Sequence, residues 1–478
     1  MRDRTEDLLA MRRVLVIDTI SWRPHLETSM EIAVVARERG AGVRYLNLRR
    51  LLPATEDASW LPRAIDLNTL RIGRAKRLLG AAGVEVFEPA LTRADLAGVV
   101  SIARQLLRSC ADNAALTRLQ HDGFAGLGWG VLSSVVEATR NPFASMQTHP
   151  DLVERYLQSA LLAYRLTRVA IREFTPDVVV LFNGRYASTR AVLAAATVEG
   201  ARAVIHDRGC DRNHYWLATE PIHDPDYVQR CIREYWRPDL AGVGGEWFRE
   251  RRARVEKGWI SYTKRQIEAK IPPAMQGSDR WVVFFSSSED ELVAVGDKYV
   301  NAAFPMQIDA VRAVAAAVQR LPGYRLCLRM HPNIASKSPE QIAFWRNSRI
   351  PGAIIVGPDE DYDSYAMLDR AHVSCSYGST MGIEATYWER PSLLLNRSLY
   401  DRLDATFNAR SSGEIEQFLA SPKVFAQLGA LMFGAFYDGY GIRHRYYQAR
   451  DLFRGRILGA DLDSSAVRLL RAARASLR

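Results

Sequence analysis

The stretch Ser374-Cys-Ser-Tyr-Gly-Ser-Thr-Met-Gly-Ile-Glu-Ala-Thr-Tyr-Trp-Glu-Arg-Pro391 decides the fold. It reads as the end of a buried strand, a tight Gly-Ser-Thr turn, and a helix that stops before a proline. Ser379 or Thr380 suits the N-cap, and the N–H groups that follow are a ready anion site. Glu384 falls four residues after Thr380, off the three-residue spacing of a capping box. Its carboxylate is then available to bond sugar or ribose hydroxyls, unless it is a plain solvated helix residue.

The same alternation extends on both sides. Upstream, the apolar run Trp281–Phe285 enters Ser286-Ser-Ser-Glu-Asp-Glu291, and a helix follows over about 306–320. Tyr324–Met330 meets His331-Pro-Asn333; Ala353–Val356 and His372–Cys375 are further strands; Ser392–Leu395 closes the series. Strand and helix in strict turn predict a Rossmann-type parallel sheet over 276–425. The N-terminal part opens a second such sheet: strand Val14–Ile17, Asp18, an irregular piece to His25, a helix to Arg39, strand Val43–Leu46. Its first turn carries Arg23-Pro-His-Leu-Glu27 where a glycine-rich dinucleotide fingerprint would stand, so NAD is not expected. Asp177–Phe182 with Asn183-Gly-Arg185, and Ala203–His206 with Asp207-Arg-Gly209, continue that sheet after a mainly helical insertion over about 48–174, which has one short strand at Val84–Phe87. Pro272 and Pro273 before Gly277 predict a domain boundary, giving 1–270 and 276–425. Residues 426–478 are expected as a basic helical tail packing back across the domains.

The chain has 478 residues, 48% hydrophobic and 25% charged, enough for more than one core. No apolar run reaches membrane-span length, and Met1–Asp7 has no signal-peptide pattern, so a cytoplasmic location is expected. Five cysteines, scattered and never in C-x-x-C, argue against a disulfide framework and a zinc site. The net charge is +10; residues 426–478 hold nine arginines and four aspartates, 9 − 4 = +5. Such a segment suits peripheral contact with anionic lipid at the inner face of a membrane, or a solvated helical face. No basic-aromatic motif for nucleic acid stands out.

Chemistry is expected at the carboxyl ends of the strands. In the C-terminal sheet these ends offer Ser286, Ser287, Ser288 and Glu291, then Arg329, His331 and Asn333, then Gly378, Ser379, Thr380 and Glu384. Hydroxyls and N–H groups suit phosphate oxygens, and a protonated or donating His331 offsets leaving-group charge. In the N-terminal sheet His25, Asn183, Arg185, His206 and Arg208 are acceptor-side candidates. Glu27 and Asp207 are the favoured catalytic bases, ahead of His25 and Asp18. Asp361-Tyr-Asp363 has metal-binding D-x-D spacing but begins a short helix, where acids complement the dipole, so no metal is expected.

Two Rossmann-like sheets without that fingerprint resemble the GT-B glycosyltransferase architecture: α/β, with two parallel-sheet domains facing a cleft. Ser286–Glu291, Arg329-Met-His-Pro-Asn333 and Gly378–Ala385 with Pro391 resemble bacterial capsule and surface polysaccharide biosynthesis proteins, among them capsular Kdo transferases. The His-Pro pair is similar to that of GT-B sialyltransferases, and Phe182–Arg185 and His206–Gly209 look like the same group. The resemblance implies a metal-independent enzyme without cofactor. It would move a sugar from a nucleotide-activated donor, a CMP-ulosonic acid such as CMP-Kdo or CMP-sialic acid or else a UDP-sugar, to a glycan or glycolipid acceptor. By the same pattern His331, Ser379 and Thr380 would contact donor phosphate. No Gln-Pro-Glu-like element occurs in the first domain. A sugar-nucleotide epimerase, a CDP-polyol phosphotransferase and a glycan-binding protein are the alternatives.

Overall fold

The computed structural model describes residues 11–57, 67–258 and 260–463. The chain divides into two compact units: unit one holds 1–138, 144–222 and 440–478, and unit two holds 139–143 and 223–439.

Strands β1 (Arg13–Asp18), β2 (Gly42–Asn47), β3 (Glu85–Phe87), β4 (Val178–Phe182), β5 (Arg202–Arg208) and β6 (His214–Ala218) belong to unit one. Strands β7 (Arg280–Phe285), β8 (Tyr324–Arg329), β9 (Ala353–Val356), β10 (Ala371–Ser376), β11 (Ser392–Leu394) and β12 (Phe407–Asn408) belong to unit two. The chain end returns to unit one with β13 (Ile442–Arg443), β14 (Tyr447–Ala449) and β15 (Gly455–Ile457).

Sheet order in unit one is β13-β6-β5-β4-β1-β2-β3, seven strands, parallel from β3 to β5 and antiparallel at the β5-β6-β13 edge. Unit two has six strands, all parallel, in the order β12-β11-β10-β7-β8-β9. Read from β9, this is the doubly wound order in which the crossovers reverse between the first and fourth strands. The fold class is therefore α/β and GT-B-like: two Rossmann-type domains, each with its own parallel sheet.

Continuous apolar runs form these strands because both faces of each sheet are covered. In β7, Val282 and Phe284 pack with Ile308, Val311 and Val314 of the helix Gln307–Gln319, while Trp281, Val283 and Phe285 pack with Met367, Leu368 and Ala385 on the other face. Val14, Val16, Val178 and Val180 build the matching core of unit one with Leu26 and Met30 of the helix His25–Glu38. Each such side chain contributes about 1.5–3 kcal/mol on full burial.

The compact division lies at 222/223 and 439/440, away from the prolines at 272–273. Helix Ala241–Arg252 joins unit two because it packs on helix Leu428–Gly439. Gly244 and Gly434 face each other there, and a Cβ on either would strike the other helix's backbone. A linear reading sees the rigid prolines but not that contact. The helical expectation for the chain end holds for Leu428–Gly439; from Ile442 the described residues form short strands. The carboxylate of Glu31 draws them in by accepting the backbone N–H groups of Arg445 (2.6 Å), Tyr446 (2.8 Å) and Tyr447 (2.9 Å). The expected insertion is mainly helical, with β3 as its short strand.

Candidate functional site

Unit two holds a pocket of roughly 880 Å³, counting the solvent in its mouth, at the carboxyl ends of β7, β8 and β10. Ligands of doubly wound sheets bind at this reversal of strand order. Ser286, Arg329, His331, Ser379, Thr380 and Glu384 line it, together with Trp247, Arg251, Lys257, Tyr262 and Tyr365.

His331 is fixed from both sides. Its backbone N–H donates to Ser286 Oγ (2.8 Å), and its Nδ1 accepts the N–H of Asn333 (3.1 Å). The proton of the neutral ring therefore sits on Nε2. Burial, helped by nearby Lys337 and Arg329, pushes the imidazole down to about 4. With Nδ1 taken by the Asn333 N–H, His331 offers the donating form, a neutral Nε2–H. The ring of Tyr262 meets it edge-on at 5.1 Å.

Glu384 is 1% exposed and serves as a hub. It accepts from Tyr365 Oη (2.5 Å), Thr380 Oγ1 (2.9 Å) and Arg251 Nε (3.3 Å). Thr380 occupies the N-cap position of the helix Met381–Tyr387, yet its hydroxyl turns to Glu384 and caps nothing. Ser379 Oγ instead accepts the N–H of Met381 (3.3 Å). Glu384 is thereby neither a solvated residue nor an unengaged acceptor for ribose.

Several expected donor-binding residues, Arg329 at the pocket wall among them, are held by bonds within the protein. Arg329 spends its guanidinium on the carbonyls of Gly357 (2.6 Å) and Glu360 (3.2 Å). Ser287 N–H donates to Gln307 Oε1 (2.6 Å), and Ser288 Oγ to Asp290 Oδ1 (2.9 Å), whose other oxygen takes the buried Lys337 Nζ (2.7 Å). Asn333 Nδ2 bonds Glu291 (3.1 Å). Gly378 sits at φ 137°, a conformation side chains disfavour, against Leu292. Asp361 pairs with Lys270 (2.5 Å), whereas Asp363 caps the helix Ser364–Arg370 through the N–H of Tyr365 (2.9 Å). The D-x-D spacing is accounted for by these two separate jobs.

Sequence reasoning missed Arg251, whose Cζ lies 4.6 Å from the centre of the Trp247 ring. The available signal was an aromatic and an arginine at i, i+4 on one helical face. Tyr365, buried by its partners on β7 and β10, carried no comparable signal.

In unit one the strand ends gather a second polar cluster. Ser29 Oγ donates to Asp18 Oδ1 (2.6 Å) and contacts His206 Nε2 (2.9 Å); Tyr45 Oη donates to Asp18 Oδ2 (2.7 Å). Burial pushes Asp18 up to about 7 and His206 down to about 3. His25 packs against Phe182 at 3.9 Å between ring centres, the planes tilted by 35°, with its own imidazole pushed well down by burial. Asp207 accepts from Asn183 Nδ2 (3.0 Å) and the N–H of Arg208 (2.7 Å). Arg208 donates to the carbonyl of Arg23 (3.2 Å). Arg185 turns away to Ser133 Oγ (2.6 Å). Glu27, 3% exposed, is committed to an ion pair with Arg71. The pair Glu56 and Asp57 was not foreseen: burial pushes Glu56 up to about 8, and Asp57 holds Arg49 (2.8 Å) and Ser21 N–H (2.7 Å). No helix among the described residues is long and apolar enough to cross a membrane.

No family model matches the chain, and no curated protein matches it. Among solved structures, the β-Kdo 2,4 transferase KpsC of Thermosulfurimonas dismutans is similar at 12% identity, over 56% of this chain and 79% of that one, with a TM-score of 0.38. The UDP-GlcNAc 2-epimerase of Neisseria meningitidis is similar at 9% identity, over 98% and 100% of the two chains, with a TM-score of 0.27. The calicheamicin glycosyltransferase CalG4 is similar at 13% identity, over 90% and 94%, with a TM-score of 0.27.

Proposed function

We propose that this chain is a glycosyltransferase whose unit two holds a nucleotide-activated sugar and whose unit one handles a glycan acceptor. The observation that carries this reading is the unit-two pocket: at the switch point of a doubly wound sheet, it combines cations, an imidazole N–H donor, hydroxyls and aromatic rings. Arg251, His331 Nε2–H and the hydroxyls of Ser379 and Thr380 suit donor phosphate, and Trp247 and Tyr262 suit a base or sugar face. Glu384 orients Arg251 and Thr380, a role that replaces the expected bond to ribose.

In an inverting transfer, a base takes the proton of the acceptor hydroxyl as its oxygen attacks the anomeric carbon. The bond from that carbon to the donor's phosphate oxygen breaks, and the nucleotide leaves with the electron pair. Asp207, partly exposed and with its carboxyl pushed up by burial, suits this base better than Glu27, whose carboxylate is spent on Arg71. Pocket cations supply charge neutralisation, so transfer is proposed to proceed without added Mg²⁺ or Mn²⁺. A CMP-linked ulosonic acid is the favoured donor, a UDP-sugar the next, and a capsule or other surface glycan the acceptor.

The test is a thermal-shift panel of CMP, CDP, UDP, GDP and their sugars. A nucleotide that binds adds about 2.7 kcal/mol at a hundred times its Kd. A panel with no shift overturns the reading. Conversion of the donor to an epimer with no acceptor present would instead identify an epimerase.

A further inference from the structure

The turn joining β5 to β6, Gly209-Cys-Asp-Arg-Asn213, lies outside the chemistry above. Cys210 Sγ, a carboxylate oxygen of Asp211 and a ring nitrogen of His214 all lie within 4.8 Å of one another. Ligand atoms around a tetrahedral zinc are about 3.3–3.8 Å apart, given bonds of about 2.0–2.3 Å, so a small closure completes the set. We propose that this turn is a binding site for a borderline-soft divalent cation of the zinc class, held by Cys210, Asp211 and His214 with the fourth position left to water.

The donor set decides the class. Thiolate with imidazole favours zinc or cobalt over magnesium or calcium, which take oxygen cages. The turn is held in shape before any ion arrives. Gly209 N–H donates to His214 O (2.9 Å), His214 N–H to Asp211 O (3.2 Å), Asn213 N–H to Asp211 Oδ1 (2.7 Å), and Cys210 N–H to Tyr440 O (3.1 Å). Gly209 itself is required, since a Cβ there would lie 2.7 Å from His214 Cβ. Asp211 Oδ1 and His214 Nδ1 are already 2.6 Å apart, so carboxylate and imidazole approach each other without the ion. Cys210 is 7% exposed and packed in place, whereas Asp211 and His214 keep 30% and 21% of their side chains exposed, which leaves an entry path. The spacing Cys210-Asp211-x-x-His214 was visible in the sequence, but it belongs to no C-x-x-C or H-x-x-x-H pattern.

The full chain, stripped with a chelator and dialysed, is titrated with Co²⁺ and separately with Zn²⁺. One equivalent is expected to give the sulfur-to-cobalt charge-transfer band in the near ultraviolet, displaced by zinc. Cys210→Ser should abolish the band, and His214→Gln should weaken zinc at least about tenfold. Cys110→Ser, in a separate loop of unit one, should change neither. A band that survives Cys210→Ser, or no stoichiometric metal in the wild-type chain, overturns the proposal. Zinc-edge absorption fine structure on the wild-type chain is independent of how the variants fold: one sulfur in the shell supports the site, and a shell of only nitrogen and oxygen refutes it.

Discussion

Arg251→Gln is the most informative single change. In unit two, Arg251 places Nε 3.3 Å from Glu384 and Nη2 3.3 Å from Thr380 Oγ1, both long for charged bonds, so its guanidinium has capacity for an anion. A charge-assisted contact to phosphate is worth about 1.5–3 kcal/mol, or about 10- to 150-fold in Kd. With 32% of the side chain exposed, solvent screening points to the low end, about 10- to 30-fold. The same change strips Glu384 of its cation and leaves it with Tyr365 and Thr380, at a stability cost of about 1–3 kcal/mol. Calorimetric titration with the nucleotide selected by the thermal panel measures the first effect, and denaturant melts the second. The double variant Arg251→Gln/Glu384→Gln separates them: stability should recover because no charge is left uncompensated, while affinity should not. Affinity within about threefold of wild type in a folded Arg251→Gln chain, or affinity restored in the double variant, would refute Arg251 as a phosphate contact.

His331→Ala should lower kcat/KM about 10- to 100-fold with the fold intact, and in the wild type no inflection near pH 6.5 should come from His331, which stays neutral down to about 4. Burial holds His206 and His444 near 3 in the folded chain against about 6.5 unfolded, so the unfolded state binds the protons. Their stability contribution is full above about pH 6.5 and falls toward pH 3, by up to about 1.4 kcal/mol per pH unit each. His206→Gln should flatten that acid limb in melts at stepped pH, and an unchanged limb would count against it. Asp18, raised to about 7, runs the opposite way: its cost builds as pH rises from about 3.9, the unfolded value, and is complete above about pH 7. Gly382→Ala should cost about 1–3 kcal/mol by denaturant melts, because the new methyl meets Tyr400 Oη and Ser376 Oγ under the Ser379-Thr380 turn.

The parallel strands of unit two were legible because period and length both signal there: runs such as Trp281–Phe285 are too short for helices and too apolar for an exposed edge. Polar strand ends were legible for the same reason, since the residue after a buried strand has few places to go. What each side chain does there was not. Arg329 and His331 read alike as donor ligands, yet one is consumed by Gly357 and Glu360 and the other keeps Nε2–H toward the pocket. Arg251 comes from a charged helix and lies 80 positions before His331, so only the tertiary contact of Ala241–Arg252 brings it to β10's turn. The division at 222/223 was hidden similarly, because the glycine contact that recruits helix Ala241–Arg252 joins segments almost two hundred residues apart.

The return of the chain end to unit one bears on how the protein is made. Glu31 is wholly buried, and the three N–H groups that satisfy it belong to Arg445, Tyr446 and Tyr447. Until a ribosome reaches those residues, unit one carries a buried carboxylate with no donors and an unpaired β6 edge, although its first 222 residues are long finished. Unit two has no such debt, since both of its segments, 139–143 and 223–439, precede residue 440. The nested unit can therefore mature first, and the outer one waits for residues 442–447, so a frameshift or nick just before Ile442 should register as misfolding of unit one.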